Sequence, residues 1–310
     1  MTRGVPALVA IVGPTAAGKT GAAVSLAEKT GGEIVSADSM QIWRGMDIGT
    51  AKPSPAERKR ATFHLVDVAD PGDDFSVAVF QQMAREAVAE IRARGKCAIL
   101  AGGTGLYIRA VVDGLSFPPP PCTEVRERLR AEAESGGSGE LLERLRAVDA
   151  AAAERLSPAD TKRIIRAMEV FETTGRPISS FHEDDRRRRE NTQWKLFGLE
   201  YSTEALAVRI NERVDAMVRE GLEQEVRALK ERGLSRDSQA GRALGYSEML
   251  ACLDGECSLD EAVEAIKLNT RRFAKRQRTW FRADSRIAWI AAEGKSPDAI
   301  AEEILECLRG

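Results

Sequence analysis

The sequence predicts an α/β fold: a P-loop-containing parallel sheet flanked by helices, with a small helical domain inserted. Three observations predict it. Short apolar runs alternate with helix-spaced stretches over the first ~115 residues, GPTAAGKT (13–20) joins the first run to the first helix, and LSFPPPP (115–121) ends the alternation. Strand and helix in alternation give a parallel sheet with both faces covered.

Taken in order, ALVAIVG (7–13) reads as a buried strand and Lys19 to Thr30 as the helix it feeds. EIVSAD (33–38) is a second strand, FHLVDV (63–68) a third, Phe75 to Arg94 a helix and CAILAGG (97–103) a fourth strand. The prolines that follow lack the amide a strand or helix needs. Thr123 to about Phe181 reads as helices with a turn at SGGSG (135–139), and EDDRRRRE (183–190) as an exposed loop. WKLFGLEY (194–201) returns to the sheet. The expected organisation is therefore a first part of the core at 1–115, a helical insertion at 116–190 and the rest of the core at 191–310. Helices are expected near 203–232, 242–253, 258–282 and 296–308, with IAWI (287–290) as a last strand.

Composition bounds the function classes. The 310 residues are 43% hydrophobic and 30% charged, ordinary for a globular protein with a full core. A net charge of −2 excludes an indiscriminately basic nucleic-acid binder but permits a local basic patch. No basic-then-apolar signal precedes the first strand and no apolar run approaches the ~18 residues of a spanning helix. A cytoplasmic, monomeric chain without a membrane partner is the expectation. The five cysteines are scattered, and Cys252 with Cys257 finds no further ligands to make a zinc site, since only two histidines exist. His64 and His182 show no ligand spacing, so structural roles are expected of both.

Gly13, Pro14, Thr15, Ala16, Ala17, Gly18, Lys19 and Thr20 form GxxxxGK[ST], the nucleotide-binding signature familiar from ATP-binding loops, between a strand and a helix as its mechanism requires. Backbone N–H groups turn inward on an anion, the helix N-terminus adds its dipole, Lys19 supplies a cation and the Thr20 hydroxyl can hold Mg²⁺. Phosphate or diphosphate binding follows, without identifying the phosphate compound. A strand-end acid for the metal has two candidates, Asp38 and Asp67. The fourth strand instead ends in AGGTGLY (101–107), which suits close substrate approach or a plain strand-to-helix turn. Asp38-Ser39-Met40-Gln41 ends the second strand, where ligands of open α/β sheets bind. Asp38 can accept from an attacking amine, and Gln41 can read a base edge. On spacing alone Asp38 can equally cap the next turn.

These motifs meet others in one order. GPTAAGKT, SADSMQIWRGMDIGTAKP (36–53), AGGTGLYIRAVVDGLS (101–116), DTKRIIRAMEVFETTGRPIS (160–179), GLEQEVRAL (221–229), RALGYSEM (242–249) and RRFAKRQRTWFR (271–282) together closely resemble the tRNA dimethylallyltransferase (isopentenyltransferase) family, nearly end to end. The resemblance implies transfer of a dimethylallyl group from dimethylallyl diphosphate to N6 of adenosine-37 in the tRNA anticodon stem-loop, with pyrophosphate released. It implies that the phosphate loop cradles the diphosphate with Mg²⁺, that Asp38 acts as general base, and that Ser39, Met40 and Gln41 line the tRNA site. It places Thr104, Arg126, Lys162, Arg163, Ile164, Ile165 and Arg166 near tRNA. Arg242, Gly245, Tyr246, Lys275, Arg276, Gln277, Arg278 and Arg282 join them. One departure is Trp43, where the family commonly has Tyr; a core aromatic is the plainer reading of it.

Lys267 to Arg282 carries seven basic residues and no acidic one, and Arg271, Lys275, Arg278 and Arg282 share a helical face. Such faces usually mix signs when they merely face solvent, so RNA backbone contact is expected. Trp280 and Phe281 can stack on bases or pack in the core. Arg186 to Arg189 can add long-range attraction, although acids flank these solvated arginines. Three rival readings remain: a P-loop small-molecule kinase, prenylation of free adenine nucleotides, and a non-catalytic RNA binder. The first leaves the basic helix unexplained, and the last leaves the phosphate loop and Asp38 unexplained.

Overall fold

A computed structural model describes residues 8–120, 122–181 and 193–309. His182 and the 183–190 run lie outside them, as do Ala7 and Pro121. The chain divides into two compact units, one formed by residues up to Val111 and from Gln193 onward, the other by the stretch between.

The larger unit is built on a six-stranded sheet in the order β3-β2-β4-β1-β5-β6. Its strands are β1 (Leu8–Val12), β2 (Glu33–Ser36), β3 (Phe63–His64), β4 (Ala98–Gly102), β5 (Lys195–Glu200) and β6 (Ile287–Ala291). Every pairing is parallel, with β1 seated between β4 and β5. Parallel strands place all their carboxyl ends on one edge, so the turns after β1, β2 and β4 open on the same side. Apolar residues of β1 and β5 pack against α1 (Lys19–Thr30) and the C-terminal helix Pro297–Arg309 in one core.

The third strand is shorter than FHLVDV suggests. Leu65 and Asp67 take φ of 61° and 60°, so the chain leaves the extended region after His64. Asp67 then pairs with Lys52 and Arg58 at 2.5 and 2.9 Å. That engagement removes it from the metal-anchoring role open to it in the sequence. The expected helix at 203–232 is two helices, Thr203–Arg219 and Leu222–Glu231, separated at Gly221 with φ of 103°. The expected helix from 242 begins only at Tyr246, as Tyr246–Leu253. Helix Leu259–Arg282 starts at a capping box in which Ser258 and Glu261 satisfy each other's backbone amides. Trp43 is fully buried, edge-on to Phe75 with ring centroids 6.1 Å apart, which is the core role.

The smaller unit consists of helices Thr123–Gly136, Ser138–Val148, Ala150–Ala153 and Thr161–Thr174. Leu129, Leu141, Leu145, Ile164, Ile165 and Met168 form its core. Ile164 and Ile165, which the resemblance places near tRNA, are both buried in this core. Glu169, with no exposed surface, receives Arg126 at 2.8 Å and Arg166 at 3.0 Å. No helix among the described residues is long and apolar enough to cross a membrane.

The ends of β2 and β4 approach so closely that a Cβ on Gly102 would lie 2.2 Å from the Ala37 carbonyl oxygen. Gly102→Ala should therefore lower stability by about 1–3 kcal/mol, the range for overpacking, in urea unfolding. Unfolding identical to wild type would show that the two strand ends separate freely.

Candidate active site

Three turns assemble the site. The phosphate loop runs from β1 into α1, whose N-cap Gly18 has φ of 79°. Ala16 takes φ of 63° without a glycine's freedom, a strain of the kind functional loops store. Beside it, the turn after β2 is tied to the turn after β4. Ala37 N–H donates to the Ala101 carbonyl at 2.8 Å, and Thr104 N–H donates to the Ala37 carbonyl at 3.2 Å. The Thr104 hydroxyl accepts from Ser39 N–H at 3.0 Å and donates to the Ser39 hydroxyl at 3.2 Å. Asp38 Oδ1 accepts from Met40 N–H at 2.9 Å, so the local turn bond and the site-facing role coexist.

These turns border a cavity of about 640 Å³ lined by Lys19, Thr20, Asp38 and Met40, among others. Its far wall comes from the helices after β5. Arg209 Nε donates to the Ala16 carbonyl at 2.9 Å and its guanidinium lies over the Tyr201 ring. Arg213 Nη1 reaches the Thr15 hydroxyl at 3.5 Å. Ile210, Val214, Met217, Leu244, Ile266 and Phe273 make the apolar part of the lining. The cavity thus has a cationic end at the loop, an acid at the strand edge and an apolar side.

Charge in this enclosure is costly. Lys19, whose Nζ donates to the Pro14 carbonyl at 2.6 Å, has its pKa lowered to about 8. Removal from water is the main cause; the Asp38 charge pulls the other way and Arg213 reinforces the fall. Enclosure likewise lowers the pKa of Arg213. An anion delivered to this end relieves both groups.

Gln277 is the unexpected member. It is buried, with Oε1 accepting from Thr15 N–H at 2.8 Å and Nε2 donating to the Gly103 carbonyl at 2.9 Å. In this structure it braces the phosphate loop. Tyr246 is fully buried with its hydroxyl on Glu225. Gln41 is buried, bonded to the Ser36 hydroxyl and to the carbonyls of Thr50 and Ala51, which leaves its amide spoken for as a base reader. Arg242 is exposed, and Gly245 lies on the cavity wall.

Several cations of the basic helix are held by neighbouring elements. Arg271 bonds Asn211, Arg278 bonds Thr203 and Arg282 bonds Glu200. Lys267 pairs with Asp215 and Glu264 at 2.8 and 2.9 Å. The counter-charges missing from the segment come from Asp215 on helix Thr203–Arg219, from Glu264 earlier in the same helix and from Glu200 on β5. Arg272, Lys275 and Arg276 are exposed on this helix, as is Arg282, which meets Glu200. In the smaller unit Lys162 and Arg163 are exposed, whereas Arg126 and Arg166 are tied to Glu169.

Arg209 and Arg213 carry no weight in the sequence reading. Their signal was present: they flank Leu206, Ile210, Val214 and Met217, the buried stripe of their helix, where a cation has reason to sit only beside something anionic.

The IPP transferase family model matches residues 41–284. The chain belongs to the IPP transferase family. Among curated relatives, the tRNA dimethylallyltransferase of Geobacter metallireducens is 50% identical over 288 residues, 93% of each chain. That of Geobacter sulfurreducens is 49% identical over 283 residues, 91% of each chain. Among solved structures, the tRNA isopentenylpyrophosphate transferase of Bacillus halodurans aligns with a TM-score of 0.73 at 41% identity, covering 98% of this chain and 95% of that one. For this family member the P-loop α/β architecture and the relationship expected from the sequence both hold.

A diphosphate brought to this end would be attracted by Lys19 only in its charged form, so pyrophosphate affinity should be level near pH 7 and fall above pH 8, by up to about tenfold per pH unit. Lys19→Arg, whose charge persists, should bind more weakly at pH 7 yet lose the decline. Titration of diphosphate binding against pH checks this; an unbroken plateau to pH 10 in wild type would contradict it. In the free enzyme the same shift opposes folding. Its cost is complete below pH 8 and is relieved as pH rises toward 10.5.

Proposed function

We propose that this protein transfers a dimethylallyl group from dimethylallyl diphosphate to N6 of adenosine-37 in the tRNA anticodon stem-loop, releasing pyrophosphate. The observation that carries the reading is one cavity in which a phosphate loop, a strand-edge carboxylate and an apolar wall face a common space. A kinase needs the first two. The third suits a hydrocarbon carried on the diphosphate.

In this reading Lys19, the loop amides, Arg209 and Arg213 hold the diphosphate, and the apolar wall takes the prenyl chain. The allylic C–O bond breaks as the C–N6 bond forms, and negative charge gathers on the leaving oxygen. Fixed donors and cations stabilise that charge where it develops. N6 of adenine is a poor nucleophile, so alignment with the allylic carbon matters most. Asp38, oriented through Oδ1, takes the N6 proton with its other oxygen. The adenosine has to leave its stack to enter the cavity, which a loop permits more readily than a duplex.

Mg²⁺ fits the site through the Thr20 hydroxyl. Among the described residues no three His, Cys, Asp or Glu side chains gather around a metal. A small hard cation would be held by the Thr20 hydroxyl, an oxygen donor of the kind Mg²⁺ prefers. Bound there, it would supply further positive charge to the leaving group. The tRNA backbone lies along Arg272, Lys275 and Arg276 of the basic helix, with Lys162 and Arg163 offering a second cationic group.

Incubation with labelled dimethylallyl diphosphate and unmodified tRNA tests the activity, with AMP as the competing acceptor and ATP turnover as the mark of a kinase. Lys19→Ala should cut transfer by at least ~10²-fold, and Asp38→Asn should lower turnover by ~10²–10⁴ with tRNA affinity largely kept. Undiminished transfer by either variant removes that residue from the mechanism.

Arg272→Ala/Lys275→Ala should weaken tRNA binding and flatten the slope of log affinity against log salt by ~0.7–0.9 per lost contact. Diphosphate affinity should stay level. A slope equal to wild type in the folded variant would move the RNA track elsewhere.

A further inference from the structure

The segment following Met46 turns three successive backbone N–H groups onto one carboxylate. Glu225 Oε2 accepts from Asp47 N–H at 2.9 Å and from Ile48 N–H at 2.8 Å, while Oε1 accepts from Gly49 N–H at 3.2 Å. Consecutive amides converging in this way form an anion-binding nest. Here the anion belongs to the protein, supplied by a residue 176 positions away from Gly49. A fourth donor, the Tyr246 hydroxyl, reaches Oε1 at 2.5 Å. Burial and the Glu225 charge both push the Tyr246 pKa up, so the phenol stays protonated and donating.

The packing admits little slack. A Cβ on Gly49 would lie 2.5 Å from the Tyr246 ring. Gly49, Thr50, Ala51 and Lys52, which continue from the nest, line the cavity. Gln41 Nε2 donates to the Ala51 carbonyl at 3.1 Å and the Thr50 carbonyl at 3.4 Å. Gln41 in turn ends the turn that begins at Asp38. A continuous set of bonds therefore runs from Glu225 through the cavity wall to the Asp38 turn. The phosphate loop is held by a different set, through Gln277, Arg209 and Arg213.

We infer that Glu225 is a positioning residue for the acceptor side of the site: its carboxylate fixes the wall from Asp47 to Lys52 and, through Gln41, the turn carrying Asp38. The inference rests on the proposed prenyl transfer to tRNA. It separates the two halves of the site: loss of Glu225 disturbs where the nucleobase meets Asp38 and leaves the diphosphate end intact.

Glu225→Gln keeps the size of the side chain but sets an NH₂ group against a ring of donors. Glu225→Asp keeps the charge on a shorter reach, and Tyr246→Phe removes one donor while preserving the ring against Gly49. For each, kcat and KM for a tRNA anticodon stem-loop would be measured with dimethylallyl diphosphate, alongside its equilibrium affinity and the unfolding temperature. Glu225→Gln should lower kcat/KM for the stem-loop by about tenfold or more, as misplacement by a fraction of an ångström does. Diphosphate affinity should stay within about twofold, as for a site with no shared partners. Glu225→Asp should recover part of the loss.

Wild-type kcat/KM in folded Glu225→Gln overturns the inference, and so does an equal fall in both substrates, which would mark general loosening. If Glu225→Gln does not fold, Tyr246→Phe carries the test, and either no loss or an even loss overturns it. Wild-type protein that transfers nothing to tRNA would sink the proposed activity itself. Wild-type transfer with an unaffected Glu225→Gln sinks only the positioning role.

Discussion

The buried amide of Gln277 is the constraint on which the site depends. One end takes the Thr15 amide and the other gives to the Gly103 carbonyl, so a single side chain joins the turns after β1 and β4. Both groups are backbone atoms that would otherwise be left without partners in a closed space, at a cost of about 1–3 kcal/mol each. The same residue belongs to helix Leu259–Arg282, whose outer face carries Arg272, Lys275 and Arg276. The helix that presents cations to solvent is thereby pinned to the loop that presents amides to the cavity.

Around that brace, the parallel sheet does the placing. Six parallel strands put every strand-to-helix turn on one edge, and β4 between β1 and β2 leaves the phosphate loop and the Asp38 turn as walls of a common space. The helices after β5 close it with Arg209 and Arg213. Each of these cations is bonded to the loop's own backbone or hydroxyl, which holds the positive end in shape before any anion arrives. Preorganised charge of this kind does not have to be gathered at the moment of reaction.

How much of this was legible depended on the range of the interaction. The phosphate loop and the Asp38 turn are local: strand, turn and helix are contiguous, and their chemistry can be read from spacing. The short third strand was not legible, because Leu65 and Asp67 leave the extended region to meet Gln41, Lys52 and Arg58 in other segments. Gln277, Tyr246, Ile164 and Ile165 sit in motifs that look outward-facing by association, yet their helices turn them inward. A polar residue such as Gln277 gives no hint in sequence that two backbone groups await it. The charge balance of the basic helix was hidden for the same reason, since Asp215 and Glu200 supply counter-charge from elements far along the chain.

The lowered pKa of Lys19 has a consequence for the energetics of substrate capture. Near pH 8 about half of these side chains are uncharged, and under the proposed function a diphosphate settling against them would restore the charge. Capture of the anion is then coupled to uptake of a proton from the surroundings. The heat released on binding includes the ionisation heat of whichever buffer gives up that proton, so two buffers of equal pH deliver different enthalpies for one and the same complex.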